Sequence, residues 1–341
     1  MTLKYFDISW FSSVDGPGTR VVLFLQGCHL RCPWCHSPQS WLTTSPLFFF
    51  ENRCTLCGAC VAACPNNVHS ITERVAPATH DLNKRYSIQK ESSQKNKNFT
   101  HSGTDGKHLL KRSLCERCGA CIESCPVSRA DRWNSGALGF PGSEMEARDL
   151  FRLLEPQLEM LRDIGGLTLS GGEPLLQPGP LLELLSLCAA ANIHTALETS
   201  LSLPRKHLEP LLGKVDLWLI GLRPTALENT DKKKDRLEDW ERVLDNLEFL
   251  AARGANNITV RTPVIPGYTD GEACLKKVGE VMTANNIAVI EILPYNPYSS
   301  HYYEAAGVPY PLNGTKPVGE PELKRICDYF SGLGFAAKIV K

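Results

Sequence analysis

Eleven of the fourteen cysteines fall in three short runs, and their spacing is the part of this chain best suited to chemistry. Cys28, Cys32 and Cys35 lie in GCHLRCPWCHSPQ, spaced Cys-x3-Cys-x2-Cys. Cys54, Cys57, Cys60 and Cys64 form Cys-x2-Cys-x2-Cys-x3-Cys before Pro65, and Cys115, Cys118, Cys121 and Cys125 repeat that spacing before Pro126. A structural zinc site or a fully ligated iron–sulfur cluster takes four protein ligands. The first run offers three. His36 stands directly against Cys35, where joint ligation of one metal ion is strained, so the spacing leaves the fourth position open.

The two longer runs carry the bacterial iron–sulfur spacing, in which the fourth cysteine of each run ligates the cluster of the other. That pattern groups Cys54, Cys57 and Cys60 with Cys125, and Cys115, Cys118 and Cys121 with Cys64. Gly58 and Gly119 fall between the second and third cysteines, where a tight turn favours glycine. Two [4Fe–4S] clusters and an electron-relay role are expected, with a purely structural role as the plainer alternative. Cys188, Cys274 and Cys327 lie in apolar helical contexts and read as small buried hydrophobes.

Bulk properties narrow the class. The 341 residues suffice for one large domain or two to three smaller ones. Apolar residues make up 43% and charged residues 22%, an ordinary globular composition. Zero net charge argues against nucleic-acid or membrane partners bound by bulk electrostatics. MTLKYFDISWF lacks the pattern of a secretory leader, and VVLFL and LFFF are far short of a bilayer span. A reducing, cytoplasmic location follows as the expectation, in which clustered cysteines are metal ligands rather than disulfides.

The elements that must position these residues read as alternating strands and helices. Strands are expected at 20–27, 166–170, 194–199, 215–222, 257–264 and 288–293, and helical segments at 181–191, 203–212, 237–253 and 272–284, with Gly254 ending the third. Ser143 and Glu146 fit a capping box opening a helix that runs to Asp163 with a break at Pro156. Residues 66–114 include a polar spacer without period, basic around Lys84–Lys97. The expected organisation is 1–50 as the first part of an α/β barrel, 51–130 as a ferredoxin-like insertion, and 131–341 as the rest of the barrel. Six strand–helix units fit either a partial barrel or a doubly wound sheet. In both, chemistry gathers at the carboxyl ends of the strands. There lie Cys28, Gly171-Gly172-Glu173-Pro174, Glu198, Arg223 and Pro294-Tyr295-Asn296, with Arg261 inside its strand.

The cysteine triplet followed by Gly-Gly-Glu-Pro resembles the radical S-adenosylmethionine (SAM) enzymes. Ser13-Val-Asp-Gly-Pro-Gly-Thr-Arg20, Phe24-Leu-Gln-Gly-Cys28 and Cys32-Pro-Trp-Cys-His36 narrow the resemblance to the activating enzymes of glycyl radical enzymes, in the longer subgroup with a two-cluster insertion. It covers roughly residues 5–300 and implies a partial (β/α)6 barrel. It also implies three [4Fe–4S] clusters, one held by Cys28, Cys32 and Cys35 with SAM on its open iron. One electron from flavodoxin or ferredoxin would cleave SAM to methionine and a 5′-deoxyadenosyl radical, which removes a hydrogen atom from a glycine Cα of a partner enzyme. By the same resemblance Trp34 lies beside adenine, and Gly171, Gly172 and Glu173 approach SAM, with Glu173 accepting from its ammonium. Arg223 stands for a lysine near its carboxylate, Arg261 matches a family arginine, and Asp15, Gly16, Pro17 and Gly18 admit the glycyl loop.

Departures from the family pattern fall beside that site. Gly221 stands where an aspartate is common and Glu198 where another is, which puts a monovalent-cation site in doubt. Asn296 replaces a histidine and cannot exchange protons near neutral pH. Two other functions fit parts of the sequence: a radical SAM enzyme acting on a peptide or small molecule, and a polyferredoxin carrier without SAM chemistry.

Overall fold

The computed structural model describes residues 1–72, 106–224, 239–253 and 257–340. The chain divides into two compact units, one of Met1–Phe48 with Phe140–Lys341 and one of Phe49–Gly139.

The larger unit is built on one nine-stranded sheet. Its strands are β1 (Thr2–Ser12), β2 (Thr19–Leu25), β3 (Ser143–Glu146), β4 (Gly165–Gly171), β5 (Thr195–Thr199), β6 (Leu217–Gly221), β7 (Ile258–Val264), β8 (Val289–Pro294) and β9 (Ala336–Ile339). Its helices are α1 (Ala147–Leu161), α2 (Pro178–Ala190), α3 (Trp240–Ala251), α4 (Glu272–Ala284), α5 (Ser300–Ala306) and α6 (Glu320–Gly332). The strand order is β9-β8-β7-β6-β5-β4-β2-β1-β3, parallel from β2 to β9, with β1 and β3 antiparallel at one end. From β4 onward the order never reverses. A doubly wound sheet needs a reversal at its switch point, whereas right-handed crossovers stepping one way keep their helices on one side and curl the sheet. This is a partial α/β barrel, open between β3 and β9.

Strand alternation separates packing from chemistry. Val21, Leu23, Leu25, Leu167, Leu169, Leu197, Trp218, Ile220, Val260, Ile290 and Ile292 belong to one apolar core with Leu150, Leu154 and Leu158 of α1 and the buried faces of α2, α3, α4 and α6. The intervening residues point the other way, and they include Arg20, Thr168, Ser170, Glu198, Gly221, Arg261 and Glu291. The concave face therefore collects buried charge.

Several elements differ from the sequence reading. Ser143–Glu146 is not a capping box but strand β3, paired with Thr2–Tyr5 of β1. Helix α1 begins at Ala147 without a side-chain cap and runs unbroken through Pro156. Pro156 is exposed, so its missing bond falls on the solvent side while Leu150, Leu154 and Leu158 hold the inner face. Residues 203–212 form two 3₁₀ turns, Arg205–His207 and Glu209–Leu211, because Pro210 interrupts the segment. The sequence reading also missed β1 and the seventh parallel strand, β9. Cys188 and Cys274 are buried, but Cys327 is only partly so. Gly254 and the spacer at 73–105 lie outside the described residues.

The smaller unit repeats one motif. A 3₁₀ turn (Glu51–Arg53 or Arg112–Leu114) ends on the first cysteine, Cys54 or Cys115. Leu56 and Arg117 then take positive φ, 55° and 61°. Gly58 and Gly119, at φ 77° and 85°, open the short helices Ala59–Ala63 and Ala120–Glu123. An added Cβ would meet nothing within 4 Å at either glycine, so the left-handed backbone, not space, calls for glycine. An antiparallel ladder pairs His69–Ile71 with His108–Leu110.

Candidate functional site

The cysteine triplet begins where β2 ends. Gly27 N–H donates to the Ser40 carbonyl at 2.7 Å and Cys28 N–H to the Trp41 carbonyl at 3.2 Å, which closes the loop at its base. Gln26, buried within an otherwise apolar strand end, reaches under the loop. Its Nε2 donates to the carbonyls of Gln39 and Leu42 at 2.7 and 2.5 Å and lies 2.7 Å from Ser45 Oγ. Cys32 and Trp34 pack with Leu30, Ile265, Tyr295 and Leu312, and Cys28 and Cys35 rest against that cluster.

Two N–H donors point at the sulfurs. Trp41 Nε1 lies 3.3 Å from Cys35 Sγ, and Arg223 Nη1 lies 3.8 Å from Cys32 Sγ. The fully buried Tyr303 donates its hydroxyl to the Cys35 carbonyl at 2.8 Å and meets Trp41 edge-on. Burial pushes the Cys28 and Cys35 thiols up, with Glu173 adding to the effect at Cys28. Three neighbouring sulfurs, two of them with thiols that burial disfavours as thiolates, and N–H donors aimed at two of the three fit an iron–sulfur cluster, where iron takes the place of the protons.

Arg261, 3% exposed, joins three carboxylates. Its Nη1 lies 3.1 Å from Glu198 and 3.8 Å from Asp15, its Nε donates to Glu291 at 2.7 Å, and Nη2 donates to the Val14 carbonyl. Glu291 also receives Lys338 at 2.9 Å. Burial pushes the Glu198 carboxyl up, but Arg261 and a 2.7 Å bond from Ser170 Oγ hold it below the usual carboxylate range. Asp15 goes the other way: burial and the Glu198 charge raise it, against a 2.5 Å bond from Ser12 Oγ and the pull of Arg261.

Asp15–Gly18 is held from below by Arg20, which no role had been attached to in the sequence reading. Arg20 is 0% exposed and donates to Thr168 Oγ1 at 2.6 Å and to the carbonyls of Leu167, Pro17 and His194 at 2.8, 3.2 and 3.2 Å. Thr168 in turn donates to the Asp15 carbonyl at 2.6 Å. Gly18, at φ +76°, has no room for a side chain, since a Cβ would stand 1.8 Å from the Ile164 carbonyl oxygen.

The Gly-Gly-Glu segment has a different physical basis from the one expected. A Cβ at Gly171 would come 2.3 Å from Leu25 N, and one at Gly172 would come 2.1 Å from Gly27 O. The Gly172 and Glu173 N–H groups donate to the Leu25 and Gly27 carbonyls at 2.9 and 2.8 Å. The close approach is therefore to the chain's own β2 end, and these N–H groups are not open to a ligand. The Glu173 carboxylate, 2% exposed, accepts from Leu175 N, Thr199 Oγ1, Ser200 N and Ser200 Oγ at 3.2, 2.7, 3.0 and 2.6 Å. Four donors match the four lone-pair sites of a carboxylate. Glu173 ties the β4 and β5 ends together.

Trp34 is 8% exposed, with its ring 5.5 Å from that of Tyr268. Asn296 is exposed and caps the turn Pro297–Ser299 through Tyr298 N at 2.9 Å. His36 is exposed beside Cys35. Gln26, Arg20, Trp41, Tyr303 and Glu291 escaped the sequence reading. Arg20 and Gln26 had a signal, as lone polar residues flanking the apolar run VVLFL.

In the smaller unit, Cys54, Cys57, Cys60 and Cys125 line one small pocket with Phe49, Ile71 and His108. The fourth cysteine of the second run thus stands with the first three of the other. Burial pushes the Cys60 thiol up to about 11, with Cys54, Cys125 and Cys57 contributing. Burial likewise pushes Cys121 up to about 12, with Cys115, Cys64 and Cys118 contributing, so the second set also gathers. Leu56 N–H points at Cys54 Sγ and Val68 N–H at Cys64 Sγ, each at 3.4 Å. Two sets of four sulfurs with backbone donors fit two [4Fe–4S] clusters.

Comparison with known proteins places the chain among families that carry such clusters. Residues 121–275 match the family model of the radical SAM superfamily, and residues 53–130 match that of the 4Fe-4S dicluster domain. The isethionate sulfite-lyase activating enzyme of Oleidesulfovibrio alaskensis is 31% identical over 321 residues, 92% of this chain and 88% of that one. The indoleacetate decarboxylase activating enzyme of Tractidigestivibacter scatoligenes is 28% identical over 337 residues, 96% and 94% of the two chains. The choline trimethylamine-lyase activating enzyme of Oleidesulfovibrio alaskensis is 28% identical over 341 residues, 98% and 97% of the two.

Proposed function

The chain belongs to the activating enzymes of glycyl radical enzymes, within the radical SAM superfamily, and on that premise we propose how its own residues serve the reaction. The cofactors are SAM and three [4Fe–4S] clusters, and the chemistry they supply is reductive cleavage of SAM to a 5′-deoxyadenosyl radical that takes the Cα hydrogen from a glycine of a partner glycyl radical enzyme.

Cys28, Cys32 and Cys35 hold the SAM-binding cluster. The observation that carries this reading is the pair of N–H donors, Trp41 on Cys35 and Arg223 on Cys32, aimed at sulfurs in an apolar cradle at a strand end. Such donors offset the negative charge that gathers on cluster sulfurs on reduction. Arg223 is the residue we assign to the SAM carboxylate, because its planar fork grips a carboxylate bidentately. Gly171, Gly172 and Glu173 shape the floor beneath SAM by fixing the β2, β4 and β5 ends to one another. Glu198 and Arg261 fix the charge on the concave face, Trp34 walls the cysteine loop, and Asn296 sets the turn after β8. Asp15, Gly16, Pro17 and Gly18 meet the glycyl loop of the partner, held rigid by Arg20 and Arg261.

Cys54, Cys57, Cys60 and Cys125 hold one further cluster, and Cys115, Cys118, Cys121 and Cys64 the other. Their task in this reading is to relay electrons from flavodoxin or ferredoxin. The reading is of a cytoplasmic enzyme and includes neither nucleic acid nor membrane as a partner. Zero net charge gives no bulk attraction to either, and no described helix is long and apolar enough to cross a membrane.

The test is anaerobic reconstitution with iron and sulfide, followed by SAM and either dithionite or reduced flavodoxin. 5′-Deoxyadenosine and methionine are expected from both reductants, and a glycyl radical doublet by EPR on adding a partner glycyl radical enzyme. Cys32→Ala should abolish all products. Cys57→Ala with Cys118→Ala should spare the dithionite reaction and slow the flavodoxin reaction; equal flavodoxin rates would sink the relay.

A further inference from the structure

The two ferredoxin-type ligand sets are matched in spacing, backbone and glycine placement, yet a pair of buried histidines stands at one of them. His69 and His108 are 4% and 5% exposed and sit on the two strands of the ladder that links the repeats. His108 Nδ1 lies 3.4 Å from Cys54 Sγ, and its Nε2 lies 3.0 Å from His69 Nδ1 and 3.7 Å from Cys60 Sγ. Phe49 meets the His108 ring edge-on at 4.5 Å, which fixes its plane. His80 and His101 lie outside the described residues, so the described histidines of this unit are both on the Cys54, Cys57, Cys60 and Cys125 set.

Two ring nitrogens 3.0 Å apart share one proton, and two tautomer sets satisfy that contact. If His108 Nε2 carries it, Nδ1 turns a lone pair on Cys54, the nearer sulfur, and His69 keeps a proton on Nε2, which is buried and has no partner among the described residues. An orphaned buried N–H is the rarer and costlier arrangement. If His69 Nδ1 carries it instead, His108 donates from Nδ1 to Cys54, and His69 is left with only an unmet lone pair. The second set leaves the smaller penalty and puts a donor on an anionic sulfur.

We propose that His69 and His108 form a two-imidazole relay of N–H bonds ending on Cys54 Sγ, which raises the reduction potential of the cluster held by Cys54, Cys57, Cys60 and Cys125. This rests on the reading that these cysteines hold a [4Fe–4S] cluster. The step is a one-electron reduction by the external donor, and no proton moves: the N–H stays on His108 and its dipole stabilises the added charge. The two clusters of the matched repeat are then unequal, so an electron arriving from a carrier has a preferred resting place.

The experiment is an EPR-monitored redox titration of the reconstituted full chain, with His108→Phe, His108→Asn and His69→Phe beside it. His108→Phe should lower the potential of one ferredoxin-type cluster by about 59 mV, a tenfold change in a one-electron equilibrium, and leave the other two clusters unmoved. His108→Asn, which keeps an N–H donor, should restore part of it. His69→Phe leaves His108 in place and should shift the same cluster less, and it carries the test if His108→Phe fails to load iron. Wild-type protein in D2O should show a weak exchangeable hydrogen coupling on that cluster by pulsed EPR. Unchanged potentials in iron-replete variants overturn the relay while leaving the cluster reading intact. A strongly coupled nitrogen means direct ligation by histidine and overturns the relay as well. Wild-type iron short of three clusters, or zinc held by Cys60, His69 and His108, overturns both.

Discussion

The guanidinium of Arg223 lies over Gly221 so closely that a Cβ at position 221 would stand 2.3 Å from Arg223 Nη2. The same guanidinium reaches Cys32 Sγ with Nη1. Gly221 pairs with Arg261 across β6 and β7, so it sits in the row of charged residues on the concave face and adds no side chain to it. The residue that seemed only to lack a carboxylate is the one that seats a cation. The same guanidinium acts on Glu198, so a cation stands beside both positions, Gly221 and Glu198, at which the sequence departs from the family's aspartates.

Gly221→Ala should therefore dislodge Arg223 without disturbing β6, whose φ here is ordinary. The loss of one charge-assisted hydrogen bond, about 1.5–3 kcal/mol, predicts SAM binding weaker by roughly ten- to a hundredfold. Equilibrium binding of SAM to the reconstituted protein measures it. Unaltered affinity with Arg223→Ala as well would remove Arg223 from the SAM site.

Asp15 and Glu198 share Arg261 but are shifted in opposite directions, which fixes opposite pH signs. Asp15 is raised above its usual 3.8. Its contribution to stability is full below that value and is lost as pH rises through the folded value, so at neutral pH its charge is a burden. Asp15→Asn should melt higher than wild type at pH 7, with the gain shrinking as pH falls through the raised folded value towards 3.8, while activation of the partner falls. Glu198 is held below its usual 4.5. Its contribution is present above that value and fades as pH falls through the folded one. Glu198→Gln should melt lower at pH 7, with the deficit shrinking in acid. Anaerobic thermal unfolding from pH 3 to 8 reads both, and a shared sign for the two variants would contradict the assignment.

Arg20 remains cationic at neutral pH, although burial lowers it to about 10. Its four neutral oxygen acceptors hold the Asp15–Gly18 loop to β4 and β5. Arg20→Ala should cost about 1–3 kcal/mol for each buried oxygen it leaves without a donor. Arg20→Lys should recover part of the stability but not the loop geometry, because a lysine lacks the planar fork. Thermal midpoints and partner activation, measured together, separate the two effects.

Local signals in the chain settled much about this protein. The cysteine spacings suggested the ligand groups, and short apolar runs marked the six strands β2, β4, β5, β6, β7 and β8, since each is a property of neighbouring residues. Strand β1 and strand β9 were not legible. Their sides are mixed in burial, because each lies towards an end of the sheet and buries less, so their alternation is weak. Pro156 read as a break because propensity cannot know which side of a helix faces water.

Tertiary structure decided the rest, and for one physical reason: a carboxylate, a guanidinium or an imidazole has no fixed role until its partners are known. Glu173 was legible as a carboxylate at a strand end, but the Thr199, Ser200 and Leu175 donors that gather on it come from a neighbouring strand and turn. Arg261 read as a site residue and proved to be the hub of Asp15, Glu198 and Glu291, which lie far apart in sequence. His69 and His108 carried no signal, being single histidines in unlike contexts, until the ladder set them side by side at Cys54. Which atoms could hold iron was written in the spacing of the chain; which donors and charges surround those atoms was settled only when strands distant in sequence came to lie together.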